Sequence, residues 1–94
     1  MQIDRDLIES SLETKGFVKE ETHHRYFYHE VNGKRTSAFT FTSHGSSFKS
    51  YGDNLLQKMK KQLRLDSLHQ VSDLFKCPMS AGDYNDILKK KGVF

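Results

Sequence analysis

Five histidines stand in the 94-residue chain, and four of them, His23, His24, His29 and His44, fall between positions 23 and 44, with His69 alone further on. Histidine is the one side chain that changes charge near neutral pH without help from its surroundings, so such a cluster supplies residues for general acid–base chemistry. A metal reading is less well supplied. His24 and His44 could meet across a sheet, but no carboxylate follows them at ligand spacing, and a zinc site without cysteine needs three well-placed His, Asp or Glu side chains. No metal and no cofactor is expected. Cys77 is the only cysteine, which removes both an intrachain disulfide and a cysteine-built zinc site. There is no Gly-x-Ser-x-Gly, no phosphate-cradling glycine loop and no recognisable frame of paired carboxylates, so the familiar hydrolase and nucleotide motifs are missing. Ser43-His44-Gly45-Ser46-Ser47 has the composition of a loop, and residues adjacent in sequence rarely face each other as nucleophile and base.

The formal net charge of +3 is unevenly spread. Residues 1–33 hold four Lys/Arg against seven Asp/Glu, residues 34–65 hold seven against one, and residues 66–94 hold four of each. A basic middle third of this kind attracts phosphate backbones by neutralising charge and releasing counterions. The plainer alternative is a solvated face that keeps the chain in solution. On the first reading Lys34, Arg35, Lys49, Lys58, Lys61 and Arg64, with Arg25, Tyr26 and His44, are candidate nucleic-acid contacts.

The elements that must position these residues fit in one unit. At ~100 to 200 residues per domain, the chain reads as a single domain over 1–94. Hydrophobic residues make up 35% of it, with seven Phe and four Tyr as the bulk of the core. No stretch approaches the ~20 apolar residues of a membrane span. The start, Met1-Gln2-Ile3-Asp4-Arg5-Asp6, lacks the basic-then-apolar order of a secretory signal. A soluble, cytoplasmic protein with no membrane partner is expected.

Ile3, Leu7, Ile8, Ser11 and Leu12 recur at helical spacing, with Asp4 as N-cap and Lys15-Gly16 as a cation and a stop, which predicts a helix over roughly 6–15. Three strands follow: Phe17-Val18, His24 to Val31, and Thr36 to Thr42, the last two joined by Asn32-Gly33, whose tolerance for positive φ suits a type I′ turn. On the middle strand His24, Tyr26 and Tyr28 share one face, and Arg25, Phe27 and His29 the other. Alternation in the third strand sets Phe39 and Phe41 apart from Ala38, Thr40 and Thr42. The Phe face is expected to lie under the helices together with Phe27, leaving His24, Tyr26 and Tyr28 outside.

From about Tyr51 or Asp53 to Leu63, a basic amphipathic helix places Leu55, Leu56, Met59 and Leu63 on one stripe. Asp53 in its first turn and cations in its later turns also suit the helix dipole. Two short helices end the chain. The first carries Leu68, Val71, Leu74 and Phe75 and is broken by Cys77-Pro78. The second opens at Ser80-Ala81-Gly82-Asp83, which has capping-box spacing. The expected class is α+β: a small three-stranded antiparallel sheet with helices on one face (α-β-β-β-α), plus a C-terminal helical extension over 66–94 on the same core.

The first helix with Gly16-Phe17, the run His24-Arg25-Tyr26-Phe27-Tyr28-His29, Asn32-Gly33, Phe39 to Thr42, the His44 loop and the basic helix together resemble the HicA family of bacterial toxin ribonucleases. The likeness covers residues 1–65. It implies a double-stranded-RNA-binding-like fold and one catalytic histidine at the start of a strand, which falls on His24. The family's glycine before that histidine is replaced here, since Glu21-Thr22-His23 precedes His24, and His23 is therefore a second candidate. The implied activity is metal-independent endoribonucleolytic cleavage of mRNA, with an antitoxin protein as partner. The alternatives are a non-catalytic double-stranded RNA or nucleic-acid binder, and a protein-interaction module on the same scaffold.

Overall fold

Asn32 and Gly33 close the central hairpin at φ values of 53° and 77°, the left-handed geometry that a two-residue type I′ turn requires at both positions. The computed structural model describes residues 1–43, 49–76 and 78–94. The expectations for His44, for the rest of its loop and for Cys77 lie outside the described residues. The elements are β1 (Ile3–Asp4), α1 (Arg5–Thr14), β2 (Phe17–Glu21), β3 (Arg25–Val31), β4 (Lys34–Thr42), β5 (Ser50–Tyr51), α2 (Asp53–Gln62), α3 (Leu68–Lys76) and α4 (Ala81–Lys90). The α+β class is observed, with an antiparallel sheet in the order β2-β3-β4. One pairing departs from the sequence expectation: Ile3 faces Tyr51 and Asp4 faces Ser50 in a short antiparallel ladder. Ile3 therefore belongs to a strand, and α1 begins after it.

Helix ends follow the local chemistry. Ser80 Oγ accepts from the Asp83 N–H and the Asp83 carboxylate accepts from the Ser80 N–H, each at 3.1 Å, which completes the capping box of α4. α3 stops at Lys76, two residues before Pro78, because proline cannot continue the ladder. Gly16, at φ 91°, turns the chain out of α1. Lys15 does something its position did not announce: it is buried, and its ammonium donates to the Leu74 carbonyl. Ser11 Oγ donates to the neighbouring Phe75 carbonyl at 2.6 Å. Both bonds satisfy carbonyls that the end of α3 would otherwise leave orphaned, and both tie α1 to α3.

One core unites the elements. Ile8 and Leu12 of α1, Phe17, Phe27 and Ala38 of the sheet, Leu56 and Met59 of α2, Val71, Leu74 and Phe75 of α3, and Tyr84 and Leu88 of α4 form a single buried cluster. The C-terminal helices thus help close the same core as the sheet. Tyr84 is fully buried, and its hydroxyl donates to the Leu63 carbonyl at 2.7 Å. Burial pushes that phenol well above its ordinary pKa.

The structure corrects the expected face of β4. Ala38, Thr40 and Thr42 are buried beneath the helices, while Phe39 and Phe41 are half-buried on the other side and take no part in the core. Register is the reason. Tyr26 pairs with Phe41, Phe27 with Thr40 and Tyr28 with Phe39, and directly opposed residues point to the same face of a sheet. Phe27 inside therefore forces Phe39 and Phe41 outside. The buried hydroxyls of β4 are matched from the helices, since Thr40 Oγ1 donates to Gln62 Oε1 at 2.8 Å and Thr42 Oγ1 donates to Glu9 Oε2 at 2.6 Å. A paired hydroxyl costs little to bury, and small side chains let the helices approach.

His29 shares the covered face and is fully buried. Its Nδ1 lies 2.9 Å from Thr36 Oγ1 and its Nε2 lies 2.7 Å from Asn85 Oδ1, an arrangement that a neutral ring protonated on Nε2 satisfies. The ring thereby ties the sheet to α4. Desolvation holds its pKa below the ordinary 6.5, against a smaller upward pull from the Asn85 bond. The unfolded ring still takes a proton near 6.5, so acid favours the unfolded chain. Stability contributed by His29 is present in full above that pH and is lost as pH falls through the depressed native value. Urea unfolding at pH 7.5 and at pH 5 is expected to show a smaller loss for His29→Gln than for the parent. Equal losses in the two proteins would remove His29 from this role.

Candidate nucleic-acid interface

The side of the sheet turned away from the helices carries a row of rings. His24 stands at the entrance to β3 and stacks on Phe41 across the strands, with ring centroids 5.1 Å apart. Phe41 lies 5.5 Å from Tyr26, Tyr26 lies 6.0 Å from Tyr28, and Tyr28 lies 6.1 Å from Phe39. All five rings are half-buried, in contact with one another, and outside the core cluster. At the far end the Arg35 guanidinium sits 4.0 Å above the Tyr28 ring, a cation–π contact. Arg35 is also held by the Glu20 and Glu30 carboxylates, so charge of both signs borders that end of the row.

At the His24 end the row meets α2. Phe41, Tyr51, Leu55, Met59, Gln62 and Lys58 wall a cavity of about 310 Å3, at the small end of the ~300 to 1,000 Å3 typical of ligand pockets. Its lining is apolar apart from a few groups. Lys58 supplies the charge, and its ammonium has no ion-pair partner among the described residues. The Ser43 N–H donates to the Tyr51 hydroxyl at 3.1 Å and fixes one wall.

Of the residues singled out by sequence, His24, Tyr26 and Arg35 share this face, and Lys58 borders it across the cavity. His24 Nδ1 is buried with no hydrogen-bond partner among the described residues. His23 is exposed on the turn between β2 and β3, where the Thr22 N–H donates to the His24 carbonyl at 2.9 Å. Arg25 lies on the opposite face. Its Nη1 is 3.0 Å from both carboxylate oxygens of Glu9, and its Nε is 3.5 Å from Glu21. The Glu9 pairing raises its pKa and commits the guanidinium to joining α1 to the sheet. Lys34 lies at the hairpin turn beside a second cavity of about 350 Å3 that Arg35, Val93 and Phe94 also line. Lys49 and Lys61 are exposed outside both cavities. Arg64 ends α2 at φ 62°, and the Leu65 N–H donates back to the Lys60 carbonyl at 3.0 Å. Helix termination thus already accounts for its backbone.

Phe39, Phe41 and the cavity residues Tyr51, Leu55 and Gln62 were not among the sequence candidates, whereas Tyr28 stands on the outer face where the sequence put it. The two-residue turn held the missing signal for the rings: with Val31 opposite Lys34, even-numbered residues of β3 face odd-numbered residues of β4. The same parity survives the irregularity between Tyr28 and Glu30. The cavity had no such signal, because α2 and β5 reach it from a distance in sequence.

No helix among the described residues is long and apolar enough to cross a membrane, and no group of three or more His, Cys, Asp or Glu among them is arranged to hold a metal ion. No protein-family model, curated protein or solved structure matches the chain.

Proposed function

We propose that the protein binds RNA on the open face of its sheet and is an RNA-cleaving toxin of the HicA-like type, acting on mRNA in the cytoplasm without a metal. His24 moves the proton at the attacking 2′-hydroxyl or at the leaving oxygen, and Lys58 and Lys61 neutralise flanking phosphates. One observation carries the reading: the His24 ring stacks on Phe41, and Phe41 also walls the cavity that Lys58 borders. An imidazole and a cation with no ion-pair partner among the described residues therefore flank the same aromatic strip. An antitoxin protein covering this face is the partner the resemblance implies.

A second reading, a non-catalytic RNA binder, is favoured by the sealed Nδ1 of His24. A catalytic imidazole is ordinarily oriented by a hydrogen bond to its second nitrogen.

Binding is tested by titrating labelled RNA with the purified protein over a range of salt. Affinity is expected to fall as salt rises, and Lys58→Ala is expected to flatten the slope by ~0.7 log unit for each phosphate of a single strand that the lysine neutralises in the parent. Binding indifferent to salt, or none at all in dilute buffer, would remove RNA from this face.

A further inference from the structure

We propose that the RNA taken by this face is unpaired, with one base inside the cavity beside Phe41 and its neighbours laid against the Tyr26–Tyr28–Phe39 row. The inference rests on the reading of the open face as an RNA site and adds the conformation of the ligand. A duplex offers such a face little but phosphates, because its bases are stacked on one another and their π faces are covered. A strip of rings recognises the opposite kind of ligand, one whose bases are free to stack.

The cavity shares the character of the strip. Phe41 belongs to both, so a strand following the rings reaches the pocket without crossing a break. Tyr51, Leu55 and Met59 give it apolar walls, suited to the faces of a planar ring. Gln62 supplies direction: its Oε1 already accepts from Thr40, which leaves the amide nitrogen as the group able to donate to a base carbonyl. Lys58 borders the pocket, where the phosphate of an inserted nucleotide would lie. Lys58 offers a phosphate a cation at the pocket, and the rings select a chain with exposed bases.

The test compares three ligands of equal length in one buffer: an unstructured RNA about ten nucleotides long, its blunt duplex, and a ribose-phosphate chain with the bases removed. Stacking carries about 5- to 150-fold in affinity per base. The single strand is expected to bind at least about tenfold more tightly than either of the others. Tyr28→Ala is expected to lose about 5- to 150-fold for the single strand and little for the abasic chain, while Tyr28→Phe keeps the parent affinity. Leu55→Phe, which narrows the cavity, is expected to act on the single strand alone. Tyrosine emission gives a second readout, since the chain has no Trp, and stacking on Tyr26 and Tyr28 quenches it.

Equal affinity for the single strand and the abasic chain, or a preference for the duplex, would overturn the unpaired-base proposal and leave RNA binding standing. Failure to bind any of the three would overturn both. Self-association abolished by Tyr28→Ala, with no RNA retained, would assign the row to protein contact instead.

Discussion

Phe27→Ala is expected to cost about 3 to 5 kcal/mol in urea unfolding, whereas Phe39→Ala costs about 1 kcal/mol. The two residues are the same amino acid on adjacent strands, so the difference measures which face the helices cover. Phe27 is fully buried and Phe39 half-buried. Removing the first ring opens a cavity in the buried core cluster to which it belongs, and the surrounding helices can collapse only in part. Removing the second deletes its packing against the Tyr28 ring, 6.1 Å away, and exposes little that was dry. Because domains of this size are stable by only ~5 to 15 kcal/mol, the first variant is expected to lose a large share of its stability. Equal costs at the two positions would mean that both sides of the sheet are covered, and would take the open face away from any ligand.

How much was legible in the sequence varied with how local the cause was. The hairpin at Asn32-Gly33 and the capping box at Ser80 and Asp83 were readable because two to four neighbouring residues settle them. The division of β3 into a His24, Tyr26, Tyr28 face and an Arg25, Phe27, His29 face was likewise readable from period-two alternation. Judging β4 by its own hydrophobicity failed, because Phe39 and Phe41 look like core until the turn register is applied to them. The part with no local signal was how the buried hydroxyls are paired: Glu9 on α1 and Gln62 on α2 accept from Thr42 and Thr40. Partners tens of residues away leave no mark in a strand's own pattern.

The charged candidates divide for the same reason. In the sequence Arg25 is a candidate nucleic-acid contact and Lys15 the cation closing the first helix, yet one is clamped by Glu9 and the other caps the end of α3. Their basicity serves the fold. Lys58 and Lys61 are not committed in that way: neither forms an ion pair among the described residues. A positive charge outside the protein's own ion pairs can be neutralised by a ligand without breaking any of them, so these lysines, more than the arginine next to His24, are the ones to change when probing phosphate contact.

His24→Ala is expected to slow RNA cleavage by about 10²- to 10⁴-fold while changing RNA affinity by much less. Each part of the ring has its own task. The π face rests on Phe41 at 5.1 Å, which fixes the ring's position, and Nδ1 is sealed from solvent without a hydrogen-bond partner among the described residues. On the proposed cleavage, proton traffic would then pass through Nε2. A ring limited to one working nitrogen would add little to the grip on RNA if the lysines neutralise the phosphates, yet its loss would remove the proton transfer from the proposed transition state. His23→Ala tests the second candidate, whose side chain is exposed on the turn and takes no part in the ring contacts of the row. The measurement is cleavage of end-labelled RNA in the presence of a chelator by the parent and both variants. A parent that cleaves while His24→Ala does not assigns the chemistry to His24. Equal cleavage by all three would trace it to another residue or to a contaminant, and a parent that binds RNA but leaves it intact would establish the non-catalytic reading.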